Sequence, residues 1–363
     1  MIPVGENISI SLEAVCDSFS SLLWDIEYYK CGAFEVYIAA SARNIEIFQT
    51  GRIVGRDDDR EHFGLIESVE LETDAEDGDY LIIKGRFLMC LLERRIIYPT
   101  FNFTKLVSYS QIIMNVVQYN ACTSGIRKIP GLVVGCSSGT CWDTETKLQV
   151  SYDNLMEWVY TICEKIGGTA NIRLSKIADE QYEMIFELLQ GTDRSILQKI
   201  NPHIIFSDRY NNLLSFTYFT DTSVKKNYAY VLGKGEGEKR KRTIYFEGTE
   251  PSSLERYEVY VDAKDISDEE QIANETKPIS EIEYEELLKE KGKQNLVPTK
   301  TKSESQIAVQ STQFQYGVDY FVGDFVTVEH HRFGIRQNKI QLIGMIESFD
   351  RNGRNLTPTF KEE

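Results

Sequence analysis

Tyr80-Leu-Ile-Ile-Lys-Gly-Arg-Phe-Leu-Met-Cys-Leu-Leu-Glu-Arg-Arg-Ile-Ile97 is the stretch on which the fold turns. Its first part, Tyr80 to Arg86, is rich in the β-branched and aromatic residues that suit a pleated surface. Leu88, Leu91 and Leu92 then fall on one face at helical spacing, so 88–95 predicts a short helix. Upstream, Phe63 to Leu71 is a second strand with Ile66, Val69 and Leu71 as its apolar members. The acidic, glycine-containing turn Asp74 to Asp79 joins the two runs, which predicts a hairpin. Further back, Phe34-Glu-Val-Tyr-Ile-Ala-Ala40 and Ile45-Glu-Ile-Phe48 read as strands, the latter followed by a turn at Thr50-Gly51.

Downstream the pattern changes. Ile112, Ile113, Val116 and Val117 predict a helix over 108–120. A better one runs from Tyr152 to Ile166, capped by Ser151, striped by Leu155, Val159, Ile162 and Ile166, and stopped by Gly167-Gly168. A loop rich in Ser, Gly and Thr separates the two helices. Ala170 to Ile177 and Tyr182 to Leu189 are strands. Strands return at Leu213–Phe219, Tyr228–Leu232, Thr243–Glu247, Tyr257–Val261, Ile307–Phe314, Asp324–Glu329 and Ile340–Phe349. A charged segment intervenes, with a surface helix at Ser280–Lys291 and a polar connector at Thr299–Ser305. The expected fold is mainly β with an α/β insert. Residues 1–104 form a first β domain, 105–199 the insert, and 200–363 a second β domain with a charged helical insertion at about 265–300.

The chain has 363 residues, which suggests two or three domains, and 42% hydrophobic residues, enough for real cores. Tyr (20) and Phe (18) are abundant, which favours sheets and protein contacts. A formal net charge of −16 repels nucleic-acid backbones and disfavours sequence-specific DNA binding. Solubility accounts for it; an acidic lumen through which a polyanion slides is the sharper reading. Met1 to Leu12 lacks the basic region and apolar run of a secretory signal, and no apolar stretch is long enough for a membrane span. The cysteines, at 16, 31, 90, 122, 136, 141 and 163, are odd in number and confined to the first half. That fits reduced thiols in a cytoplasm.

No constellation compels catalysis. Gly233-Lys-Gly-Glu-Gly237 follows a strand, but a phosphate loop must open a helix, and here Glu238-Lys-Arg-Lys-Arg242 leads into a strand. It reads as a glycine-rich hairpin tip. Its basic run is either solvated or docked on an acidic neighbour. Cys136 and Cys141 lack the second cluster that a structural zinc needs. His330-His331 point to opposite faces of a strand and cannot easily share a metal. Gly135-Cys-Ser-Ser-Gly139 lacks the strand–turn–helix frame of a nucleophile elbow. Among 56 acidic residues a glycosidase dyad remains open. The expectation is a structural protein with no cofactor or metal. The alternatives are a carbohydrate- or cell-surface-binding module and a peptidoglycan hydrolase.

Three ordered segments carry a resemblance. They are Gly64-Leu-Ile-Glu-Ser-Val69 with the 81–97 motif, Tyr230-Val-Leu-Gly-Lys-Gly-Glu-Gly-Glu238 with its basic run, and Gly317-Val-Asp-Tyr-Phe-Val-Gly-Asp-Phe-Val-Thr-Val328 with Gly334-Ile, Ile346-Glu-Ser-Phe-Asp350 and Pro358-Thr-Phe360. Together they resemble the siphophage tail-hub family, the ReqiPepy-type siphovirus tail proteins, similar to baseplate hubs of contractile phages and injection machines. The resemblance implies two tail-tube-like β-barrel or sandwich domains, smaller inserted domains, and a homotrimer. That trimer would cap the distal tail tube of a virion or phage-tail-like particle built in a bacterial cytoplasm. It would adapt a sixfold tube to a threefold tip. Implied partners are the tail tube or distal tail protein, the tape-measure protein and other tip or spike proteins, with DNA only as passing cargo. No catalytic residue is implied. Arg86, Arg94 and Arg95, whose guanidinium forks suit carboxylates, and Lys239, Arg240, Lys241 and Arg242 are candidate assembly contacts. Gly85, Gly233, Gly235, Gly237, Asp319, Gly323 and Asp324 are expected to shape turns.

Overall fold

The computed structural model describes residues 8–74, 78–123, 125–213, 219–272, 275–297, 300–302 and 313–362. Alternation along the first strands sets their faces. In β1 (Phe19–Glu27) and β2 (Ala33–Ala39), the side chains of Leu22, Trp24, Ile26, Phe34, Val36 and Ile38 all turn inward. β3 (Phe63–Asp74) and β4 (Gly78–Phe87) form the expected hairpin, with Leu71 opposite Leu81 and Glu72 opposite Tyr80. β4 pairs in turn with β2.

The strand expected at Ile45–Phe48 is instead a helix, Ala42–Ile47. Ser41 accepts the amide of Asn44, and this cap outweighs the short apolar alternation. The helix expected over 88–95 is limited to Cys90–Glu93.

The insert contains α1 (Tyr109–Val117), continued by a π-helix at Gln118–Thr123, and α2 (Leu155–Ile166). α2 begins later than expected and is capped by Asn154 rather than Ser151, because Tyr152 takes a left-handed φ of 61° and breaks the helix there. Gly167, at φ 77°, ends it. The Ser/Gly/Thr-rich loop holds two short strands, Leu132–Ser137 and Glu145–Val150. β5 (Gly168–Ala178) and β6 (Gln181–Gln190) follow as an antiparallel pair. Leu132–Ser137 joins β6 in parallel, and Ile8–Ser9 pairs antiparallel with the start of β6 on that same side.

Next comes a small unit: β7 (Tyr228–Leu232), β8 (Arg242–Tyr245), β9 (Glu258–Asp262) and α3 (Glu281–Gln294). Ser280 and Glu283 form a reciprocal capping box at the start of α3. Tyr284, Leu287 and Leu288 of α3 cover Ala229, Val231 and Val261. The chain ends in β10 (Phe325–His330), β11 (Ile335–Asp350) and β12 (Gly353–Glu362). The strands expected at 213–219 and 307–314 lie largely outside the described residues.

The ends of the chain meet. β1 pairs antiparallel with β11, from Leu22 opposite Phe349 to Glu27 opposite Gly344. One nine-stranded sheet therefore runs from Ile205–Ser207 through β10, β11, β1, β2, β4 and β3 to Ile53–Gly55, with β12 also on β11. It carries two separate cores. One is built on Trp24, Phe34 and Ile83; the other on Phe206, Tyr320, Val328 and Met345. Val322 packs against both.

Candidate assembly site at the domain junctions

The 80–97 motif is a joint. Phe87 belongs to the first core, while Leu88, Met89, Leu92 and Ile97 are buried in the core of the insert with Ile112, Val116 and Val159. The strand-to-helix switch read from the sequence is thus the point where the chain passes between cores. Arg86 braces it. Its guanidinium donates to both oxygens of Glu67 on β3 (2.8 and 2.9 Å) and to Glu93 after the joint (2.6 Å). Asn154 adds a second tie: its Oδ1 caps α2, and its Nδ2 donates to Glu93 O at 2.7 Å. Arg95 donates to Arg127 O at 2.6 Å, and Arg94 is exposed.

Gly85 does not shape a turn. It lies in the middle of β4 because a Cβ there would overlap the carbonyl of Leu65 and the ring of Phe34.

A second joint forms where the insert returns to the sheet. The Tyr28 hydroxyl accepts the Gly191 amide (2.9 Å) and donates to Gly167 O (3.3 Å), and burial pushes its pKa up. Gly323, at φ 102°, presses against the Tyr28 ring. Asp324 is buried and accepts from Thr192 N (2.7 Å), Arg194 Nε (2.8 Å) and Phe321 N (3.1 Å). It therefore shapes the turn before β10 and also holds the segment 192–194 that leaves the insert. Asp319 accepts Gln315 N at 2.7 Å in the turn just before it.

The seam between the two halves of the sheet is ionic. Arg56 lies against the rings of Trp24 and Phe349 and reaches Glu347, which Arg354 also contacts; the Glu347 side chain is only 4% exposed. Beside it, Asp59 accepts the Trp24 indole (2.9 Å), the His62 ring (2.9 Å) and the amides of Glu61 and His62. Burial pulls its carboxyl upward, but the His62 and Trp24 hydrogen bonds outweigh this and hold it at about 2. Sequence reading missed this seam. Arg56-Asp-Asp-Asp-Arg60 looks like a solvated acidic turn, and only the pairing of β1 with β11 brings Glu347 to it.

The glycine-rich hairpin joins β7 to β8. Gly235 and Gly237 have φ of 110° and 55°, as a tight turn requires, while Gly233 is bare because the Tyr284 hydroxyl fills the space. The basic run is not one solvated tip. Arg240 pairs with Asp262 and donates to Tyr260 Oη (2.9 Å) and Gly233 O (2.8 Å), and Lys241 pairs with Glu281. Lys239 and Arg242 are exposed. This unit meets the insert across a cleft of about 350 Å³ between α2 and α3, lined by polar and apolar side chains alike and bridged by Lys147–Glu286 (2.7 Å) and Lys165–Glu290.

No group of three or more His, Cys, Asp or Glu side chains is placed to hold a metal among the described residues. Among them, no helix is long and apolar enough to cross a membrane. Cys136 is exposed and Cys141 half-buried.

A mainly β chain with one nine-stranded sheet, two cores on it and smaller inserted units has the fold of phage tail proteins. The chain belongs to the siphovirus ReqiPepy6 Gp37-like protein family, whose model matches residues 7–360. Solved structures agree in fold. A tail protein from Neisseria meningitidis MC58 matches with a TM-score of 0.58 at 14% identity, over 95% of this chain and 92% of that one. Prophage tail protein gp18 from Listeria monocytogenes EGD-e matches with a TM-score of 0.53 at 12% identity, over 96% and 91%. The 43 kDa tail protein of prophage MuSo2 from Shewanella oneidensis matches with a TM-score of 0.54 at 12% identity, over 98% of both chains. No curated protein matches in sequence.

Proposed function

We propose that this tail protein is a hub: a homotrimeric ring that caps the distal tail tube and adapts its sixfold symmetry to a threefold tip. The observation that carries the reading is the β1–β11 pairing. It fuses two β modules, each with its own core, into one sheet. Three copies would then present six such modules in a ring, a surface matched to a hexameric tube. The seam of buried Arg56 and Glu347, closed on its outer side by the exposed Arg354, supports a fixed spacing between modules, which a symmetry adaptor needs.

The charge pattern supports a passage for DNA or a tape-measure protein. The sheet face opposite the first core carries Asp25, Glu27, Glu35 and Glu67 against Lys84 and Arg86, which pair with Glu35 and Glu67. Such a face repels a polyanion rather than holding it. Partners on this reading are further copies of the chain, the tail tube or distal tail protein, the tape-measure protein and other tip or spike proteins. The place of action is the tail of a virion or related particle assembled in the bacterial cytoplasm, and the role is non-enzymatic.

Imaging of tail tips by cryo-electron microscopy tests the proposal. The expected density is one threefold ring of this chain, with six equivalent β modules against the tube. A single copy at the tip, or six copies per ring, overturns it.

A further inference from the structure

The exposed surface beside the arginine motif has a chemistry that the joints do not use. Ile97 N donates to Asp153 O (2.9 Å) and Tyr152 N to Ile97 O (2.8 Å), so 96–98 and 152–154 form one short ribbon. On it stand Tyr98 and Tyr152, 56% and 68% exposed, with ring centroids 6.1 Å apart. Ile126 beside them is fully exposed. Arg127 donates to Tyr98 O (3.1 Å), Asn120 Oδ1 (3.0 Å) and Ile96 O, and Arg95 donates to Arg127 O. Every one of these acceptors is neutral. Among the described residues no carboxylate lies within ion-pair distance of Arg94, Arg95 or Arg127. In a chain of net charge −16, this is a concentrated positive patch.

Its backbone is unusual as well. Tyr152 sits at a left-handed φ of 61°, and the π-helix Gln118–Thr123 sets the buried Asn120 that receives the Tyr98 amide. Both deviations converge on the same surface, and such departures concentrate at working surfaces. Exposed Tyr and Arg together are also the residue types that dominate binding energy in interfaces.

The complementary chemistry lies at the far end of the same hairpin. Past Ile66, β3 is bonded to β4 on one side and to no strand on the other among the described residues. This open edge carries Glu70 and Glu72, both exposed, around Leu71, which is 55% exposed. Glu70 and Glu72 stand opposite Ile82 and Tyr80, five and seven residues before Phe87 at the joint, roughly 16–23 Å at strand rise. The acidic edge of one copy therefore cannot neutralise its own arginines, but that of another copy can. Because the two patches are distinct, they allow a head-to-tail contact, which closes into a ring when the rotation between copies closes, as the hub reading requires.

We propose that the Arg94–Arg95–Arg127 patch with Tyr98 and Tyr152 receives the acidic Glu70–Leu71–Glu72 edge of a second copy of this chain. The proposal rests on the hub reading and supplies its subunit contact. The test is sedimentation of the full chain, with circular dichroism as the folding check. Arg94→Glu alone, and Glu70→Lys with Glu72→Lys, are each expected to weaken self-association about tenfold or more while leaving the monomer folded. Combining the three substitutions is expected to restore it. Folded variants that associate as tightly as the parent, or a combination no better than its parts, would overturn the contact. So would a parent chain that stays monomeric at its highest soluble concentration. In those cases a threefold ring in imaged tail tips would still leave the hub reading standing, and its absence would remove both.

Discussion

Asp59 is the residue where charge and fold are most tightly linked. Its carboxyl is held at about 2 in the folded chain, below the ordinary aspartate value of 3.8. A depressed carboxyl contributes stability that is present above the unfolded pKa and is lost as pH falls through the folded one. The window is therefore about pH 4 down to pH 2, and the contribution is about 2 kcal/mol. Asp25 and Glu27, raised by burial, act with the opposite sign, so the total acid response does not isolate Asp59. The difference between parent and Asp59→Asn does. Urea unfolding from pH 6 to pH 2.5 is expected to show the parent more stable by about 2 kcal/mol at pH 6, with the gap closing toward pH 2.5. A gap that does not change with pH would mean that Asp59 acts only through neutral hydrogen bonds.

Among the elements, α2 is the best place to ask what sequence can and cannot tell. Its stripe and its Gly167 stop were legible, because helical periodicity and a left-handed glycine are local. Its start was not. Three residues that suit an N-cap lie in a row of four, Ser151, Asp153 and Asn154, and the choice is made by Tyr152 and by the pairing of 152–154 with 96–98. The same limit explains Ile45–Phe48, where a cap overrode an apolar alternation. The pairing of β3 with β4 was legible, while residues 75–77 of its expected turn lie outside the described residues. The role of Arg86 as a brace was visible only as a residue type, since its partners Glu67 and Glu93 are set by register. Asn154→Ala tests the cap directly. It removes the cap of α2 and the tie to Glu93 O together, so the expected loss is about 1–2 kcal/mol. Asn154→Asp keeps the cap and loses the tie, and should recover about half of that loss in thermal unfolding. Equal stability of all three chains would mean that water or a neighbouring group replaces the cap.

At the scale of the whole molecule, the architecture separates what must be rigid from what is appended. The two β modules share backbone hydrogen bonds through β1 and β11, so neither can open without breaking the other's sheet. The unit of β7 to β9 and α3 is different. It has its own core and meets the insert across an open cleft of mixed polar and apolar lining bridged by ion pairs, the kind of contact that allows domains to move or be removed. The sequence hinted at this through its charged stretch, but composition alone could not reveal that β7 to β9 belong with α3. Lys226 and Val297 exchange both backbone hydrogen bonds, at 2.7 and 2.9 Å, so the chain enters and leaves the unit side by side. An Asn-Gly turn can span that gap, because it closes an antiparallel pair with two residues. Replacing 227–296 by Asn-Gly should therefore leave the nine-stranded sheet and the insert folded. The expected cost is only the cleft contacts: the exposed Lys147–Glu286 pair, which contributes little, together with the Lys165–Glu290 pair, whose side chains are 20% and 22% exposed, and the apolar residues that line the cleft. Thermal unfolding of the shortened chain should stay cooperative with a near-parental midpoint, and its self-association should match that of the parent, because neither the arginine patch nor the β3 edge is touched. Collapse of the sheet would show that the appended unit is part of the folding core. Loss of association with an intact sheet would instead place the subunit contact on α3 and the basic hairpin.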